Sequence, residues 1–195
     1  MIKFEPAASE IAQVEHTCAL YWSQTYNPTG GSFSDGFVNE NGVTIVSNAC
    51  TGIYEENIQP VKDGGIGYGI RRLMAKRATN ARNAVGIAID LLGKYGYFSE
   101  GCTYAISDAN EAWQLAIHQG NTWVARRVKD NEVVYIPNNF MMDKVDATDK
   151  ENVIVAPGMI ERAIKQGRYK PAKEGVFSDF NFRVGVAPAE RRSAD

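Results

Sequence analysis

The sequence predicts an α+β fold built in layers, an αββα sandwich, on three observations. Strand-like runs fall into two groups, one on each side of a pair of helix-like segments. Short turn signals join the runs within each group, which suits antiparallel pairing rather than the long crossovers of a doubly wound sheet. Apolar residues occupy both faces of the strands, as expected when two sheets pack face to face with helices outside.

Residues 1 to 15 read as an irregular or briefly helical lead-in, with Pro6 early and Ser9 a candidate cap. The run His16 to Gln24, HTCALYWSQ, has the composition of a strand buried on both faces. A polar, glycine-rich loop, TYNPTGGSFSDG, follows. A hairpin comes next: Phe37-Val38, a turn over Asn39 to Gly42, and the apolar run Val43 to Val46. Its outgoing strand finishes at Ser47-Asn48-Ala49-Cys50, with an amide near its end.

The glycines between Asp63 and Gly69 do not make a dinucleotide loop, because a proline-broken segment precedes them where a strand is required. They are expected to allow close packing or a turn. Ile66, Ile70, Leu73 and Met74 recur at helical spacing. Thr79 is a candidate cap for a second helix with Ala81, Val85, Ala88 and Leu92 as its buried stripe, ending at Lys94-Tyr95-Gly96.

Gly101 to Phe140 reads as a four-strand antiparallel meander cut by Ser107 to Asn110, Gly120-Asn121 and Asp130-Asn131. On its second strand Trp113, Leu115 and Ile117 face one way and Ala112, Gln114, Ala116 and His118 the other. Pro137 removes a donor and stops the ladder, leaving Asn138 and Asn139 at its exit. An acidic loop over Asp143 to Asn152 leads to a third helix, with Pro157 in its first turn and Met159, Ile160, Ala163 and Ile164 on one face. No period is legible from Lys170 on.

At 195 residues, 44% apolar and 23% charged, the composition is that of one globular domain. A net charge of −2 argues against a nucleic-acid partner. The basic run Arg71, Arg72, Lys76, Arg77, Arg82 is expected to be a solvated helix face rather than a phosphate patch. Cys18, Cys50 and Cys102 make no CxxC, so no metal cluster or disulfide framework is expected, and no cofactor is indicated. No run approaches the ~20 apolar residues of a membrane span, and the N-terminus has no apolar signal core, so the compartment stays open.

Three stretches carry a family resemblance: GFVNENGVTIVSNAC, the Asp-x-Asn-Glu-Ala-Trp motif at Asp108 to Trp113, and the run Trp123 to Phe140 ending in Ile-Pro-Asn-x-Phe. They resemble the dipeptidase A family of cysteine peptidases, relatives of secernins, choloylglycine hydrolase and penicillin V acylase. The likeness implies an αββα sandwich of the N-terminal-nucleophile hydrolase type and hydrolysis of dipeptides by a cysteine at the mature N-terminus, whose own amine serves as base. It implies oxyanion support from Asn138 and Asn48, and a weaker expectation of a substrate contact at Asn39, which as a turn residue also has a local use.

The nucleophilic cysteine of the family is not in this sequence, which opens Met1-Ile2-Lys3-Phe4. The expectation is a single partial hydrolase domain over residues 1–195, lacking the strands that bear the nucleophile and a C-terminal part. A thiol–imidazole pair of His16 with Cys18 is chemically sufficient for catalysis, but core packing is the expected role for both, as for Cys50, Cys102 and His118. Alone, the chain is expected to be inactive. Alternatives are a non-catalytic interaction module that kept the fold, and an amidase or acylase acting on N-acyl substrates. A dipeptide or small amide is the expected ligand, and exposed sheet edges point to self-association or a complementary fragment.

Overall fold

A computed structural model describes residues 9–26, 28–29, 33–53 and 61–186. Expectations for residues 1–8, for the proline-broken loop at 54–60 and for the tail beyond 186 lie outside the described residues.

Seven strands form one antiparallel sheet in sequence order: β1 Leu20–Thr25, β2 Phe33–Asn39, β3 Thr44–Ala49, β4 Tyr97–Ser107, β5 Ala112–Gly120, β6 Thr122–Arg127 and β7 Val153–Val155. Helices α1 (Ile70–Arg77) and α2 (Ala81–Tyr95) intervene between β3 and β4, while α3 (Met159–Lys165) and α4 (Phe182–Val186) follow the sheet. The two predicted strand groups therefore meet edge to edge, Ile45 opposite Ile106 and Ser47 opposite Tyr104, rather than as stacked sheets. The α+β class stands, and a second sheet is not formed among the described residues.

Register sorts the side chains. Ile45, Tyr104, Ile106, Trp113, Leu115 and Ile117 share the face covered by α1 and α2, where the Arg82 guanidinium lies 4.8 Å from the centre of the Trp113 ring. The helices are amphipathic as predicted: Ala81, Ala84, Val85, Ala88, Leu91 and Leu92 of α2 are buried, and Gly96 stops it at φ 72°. On the opposite face Phe140 packs edge-on against His118 and against Phe182 of α4. That cover does not reach β1–β3, where Tyr21, Val38 and Val46 are 77%, 40% and 44% exposed.

Several local expectations change. The first strand starts at Leu20, not His16, and is exposed rather than buried on both faces, because among the described residues it is the sheet edge and only β2 pairs with it. The end of the predicted polar loop, from Phe33, is strand β2. Ile66 is not part of α1: it bridges Tyr97 in parallel. Asn80, not Thr79, caps α2 by accepting from the Asn83 amide at 2.8 Å, while Thr79 donates its hydroxyl to the Asn83 side chain. The Gly120-Asn121 hairpin has three residues between its last pair, His118 and Thr122, because Gly120 also pairs with Tyr97.

The predicted fourth meander strand is not a strand. Glu132 turns back to hydrogen bond the Lys129 amide and pairs with Arg126 at 2.7 Å, which leads the chain off the sheet and leaves Val133 and Tyr135 exposed. The edge beside β6 goes to β7, whose Val153 is buried opposite Arg126. Pro157 precedes the cap of α3 rather than standing in its first turn, and Ile164 is half exposed. In the stretch without a legible period, Phe180 pairs with Val145 and α4 follows.

The Asp-x-Asn-Glu-Ala-Trp motif explains how α2 sits on the sheet. One Asp108 oxygen accepts from the Ala81 amide in the first turn of α2 at 2.7 Å, and the other accepts from Asn110 and Glu111. Glu111 meets both Arg82 of α2 and Arg127 of β6 at 3.4 Å. The motif is thus a clamp between the β4–β5 turn and a helix N-terminus, whose dipole favours the carboxylate.

Two predictions follow from this packing. A Cβ at Gly101 would lie 2.5 Å from the Phe140 ring and 2.8 Å from the Cys50 carbonyl. Gly101→Ala therefore lowers stability by about 1–3 kcal/mol in urea unfolding, and an unchanged midpoint would contradict this packing. Hydrogen bonding, chiefly from the Ala81 amide, holds the Asp108 carboxyl below its ordinary pKa. Its stabilisation is complete above the unfolded aspartate pKa of about 3.9 and is lost as pH falls through the folded value. Asp108→Ala is expected to cost about 1 kcal/mol at pH 7, with the gap to wild type closing in acid.

Candidate active-site cleft

A cleft of about 450 Å³ opens beside the C-terminal half of β3, lined by Asp35, Ser47, Asn48, Ala49, Tyr68, Arg71 and Asn138. Three parts of the chain deliver these groups. Strand β3 alternates, so Ser47 points to the helix face and Asn48 to the other. Gly65 brings the chain close under Gly96, where its own Cβ would lie 3.0 Å from the Gly96 carbonyl and the Ile66 amide donates to that carbonyl at 2.8 Å, and this carries Tyr68 and α1 to the cleft. Of the glycines expected to allow close packing or a turn, Gly65 serves close packing, and Gly64 and Gly65 have the positive φ of a turn. From the far side, Phe140 is anchored at 1% exposure against His118 and Phe182, and Pro137-Asn138 enters the cleft from that anchor.

Arg71 is 9% exposed and donates to the Ser47 hydroxyl at 2.6 Å. Its guanidinium stands 5.6 Å from the Tyr68 ring centre. Beneath lie neutral groups. Burial pushes the Cys102 thiol up to about 12 and the Tyr97 and Tyr104 phenols well above their ordinary values, their hydroxyls 3.5 Å apart. Burial also raises the Tyr68 phenol, against the lowering effects of Ser99 and Arg71. Asp35 shares the cleft, is exposed, and forms no ion pair with Arg71.

Asn48 and Asn138, predicted separately from two strand ends, line this one cleft. Neither carboxamide has a hydrogen-bond partner among the described residues, so each can serve a ligand. Asn39 is placed elsewhere and is fully used: its amide donates to the Ala75 and Ala78 carbonyls at 2.9 and 2.7 Å, and its oxygen accepts from the Asn41 and Val43 amides. That geometry ties the β2–β3 turn to the end of α1, its local use as a turn residue.

The internal thiols are packing groups. Cys50 is buried against Thr103 at 3.3 Å, with its thiol raised by desolvation. Cys18 donates to the Ala78 carbonyl and accepts from Asn41, while His16 is almost fully exposed and faces Glu40 at 4.0 Å. His16 and Cys18 lie outside any strand, so the alternation that would have aligned them does not apply. Among the described residues no group of three or more His, Cys, Asp or Glu is placed to hold a metal ion, and no helix is long and apolar enough to cross a membrane.

The basic run is not one solvated face: Arg71 is buried at the cleft and Arg72, Lys76 and Arg77 are half-buried, with Arg72 over Trp22 and Arg77 donating to the Ala12 carbonyl, whereas Arg82, which lies over Trp113, is exposed as expected. Sequence reasoning missed Arg71, Tyr68 and Asp35 as cleft residues. The available signal was that Arg71 stands three residues before Met74 and four before Ala75, on the helix face those two residues bury.

Residues 24–194 match the family model described as Peptidase family C69. A "Probable dipeptidase B" of Streptococcus pyogenes serotype M3 is 26% identical over 166 residues, covering 84% of this chain and 33% of the relative. A "Probable dipeptidase" of Latilactobacillus sakei is 26% identical over 161 residues, with 78% and 33% covered. The "Dipeptidase A" of Lactobacillus helveticus is 34% identical over 85 residues, 44% of this chain and 18% of that protein. The chain thus spans about a third of the length of the first curated relatives it matches. Matched over most of its length, with the Asp108 clamp and the Ile-Pro-Asn-x-Phe exit in place, it belongs to Peptidase family C69, the dipeptidase A family.

Proposed function

We propose that this chain is part of a cysteine dipeptidase and supplies the oxyanion and substrate-binding side of its active site. The observation that carries the reading is the convergence of two unpartnered carboxamides, Asn48 and Asn138, with one guanidinium in a single cleft. The nucleophile is a cysteine on a segment outside this sequence. Its thiolate attacks the scissile carbonyl, and the amides of Asn138 and Asn48 donate to the oxygen that becomes negative. The buried, protonated thiols of Cys50 and Cys102 are unsuited to that attack.

The same reading accounts for the open face. Tyr21, Val38 and Val46 form an exposed apolar surface on β1–β3, opposite the helices, where the second sheet of an αββα sandwich packs. Because β1 is also an unpaired edge among the described residues, the chain alone is expected to self-associate or to take up the complementary fragment.

A second reading, a non-catalytic module that kept the fold, is favoured by one fact: Asp108, Glu111 and Arg127 of the family motif build structure and not the cleft. Both readings predict that the purified chain leaves a panel of dipeptides intact. Hydrolysis abolished by Cys18→Ala would overturn the first. Co-expression with the cysteine-bearing segment separates the two: a dipeptidase gains activity, and Asn138→Ala then lowers kcat by about 100-fold with little change in KM. Unchanged kcat in that variant, or no activity in the assembly, rejects the proposed role.

Light scattering tests the open face. The account expects a mass above the 21.5 kDa monomer that falls when Val38 and Val46 are both replaced by serine. A clean monomer over a wide concentration range contradicts it.

A further inference from the structure

The Arg71 guanidinium has the features of a receptor for an anion that is not part of the described protein. It is nearly buried, it lines the cleft, and its one direct hydrogen bond is to a neutral hydroxyl, Ser47 Oγ at 2.6 Å. No carboxylate among the described residues lies within ion-pair distance, whereas Arg82, Arg126 and Arg127 each have one. A buried cation without a counter-charge is costly, and guanidinium carries five donors of which one serves Ser47. The Tyr68 ring centre lies 5.6 Å from it, and a guanidinium's remaining in-plane donors form a fork suited to a planar carboxylate. The protonated Cys102, Tyr97 and Tyr104 nearby add no negative charge, and the one carboxylate lining the cleft, Asp35, is exposed and forms no ion pair with Arg71.

We propose that Arg71 is the specificity-determining group of this cleft and binds the free carboxylate of a small peptide or N-acyl amino acid, with Asn48 and Asn138 left for the amide being cleaved. This rests on the dipeptidase reading for the identity of the substrate, not for the recognition of a carboxylate. It gives a physical reason for preferring dipeptides over longer chains. A cleft of about 450 Å³ whose lining includes one guanidinium and two carboxamides suits a short chain whose free carboxylate lies close to its scissile bond.

The test is calorimetric binding to the full chain of three compounds: Ala-Ala, Ala-Ala amide and N-acetylalanine. Ala-Ala is expected to bind roughly 10- to 100-fold tighter than its amide, the size of a charge-assisted hydrogen bond. Arg71→Gln removes that difference and Arg71→Lys retains part of it, with circular dichroism confirming that both variants are folded. The comparison of acid with amide on the unaltered chain holds even if the variants do not fold. Equal binding of Ala-Ala and its amide overturns the role of Arg71 and leaves the dipeptide reading standing. N-acetylalanine binding through Arg71 without any binding of Ala-Ala upholds carboxylate recognition and rejects the dipeptide reading. No binding of either carboxylate overturns the inference.

Discussion

The carboxylate of Asp108 is the contact on which the arrangement of this protein depends. From the turn between β4 and β5 it caps the first turn of α2 and closes its own turn at the same time. With α2 fixed, Asn39 holds the preceding helix by its last carbonyls at Ala75 and Ala78. The helix pair is then pinned to the sheet at two points. Arg71, in the first turn of α1, adds a further tie to the sheet through its bond to Ser47 of β3.

This division of labour separates identity from chemistry. The residues that mark the family in sequence, Asp108, Glu111, Trp113, Trp123 and Arg127, serve as cap, ion pairs and core. Asn138 is the exception, and it owes its place to Phe140, a ring seated against Gly101 where no side chain fits. Ser47, Asn48 and Ala49 also lie in a family-like run, whereas Asp35, Tyr68 and Arg71 come from a strand, a glycine-rich turn and the first turn of a helix.

How much was legible follows the same line. The hairpin at Asn39–Gly42, both central helices and three of the meander strands were readable because their patterns are local. The exposure of β1 and the loss of the fourth meander strand were not, since edge and neighbour are properties of the finished sheet. The run Val133 to Ile136 alternates like a strand, and only the Arg126–Glu132 pair leads it away. At the cleft, Asn48 and Asn138 were found through strand ends and family likeness. Arg71 was grouped with its charged neighbours, because counting charges along a helix does not reveal which one faces inward.

The central claim, that one cleft beside β3 receives a small peptide, is tested most directly by mapping amide chemical shifts of the labelled chain during titration with Ala-Ala. The account predicts saturable shifts gathered on Ser47 to Ala49, Tyr68, Arg71 and Asn138. Shifts confined to another surface, such as the shallow depression around Thr122, Arg162 and Arg168, would contradict it.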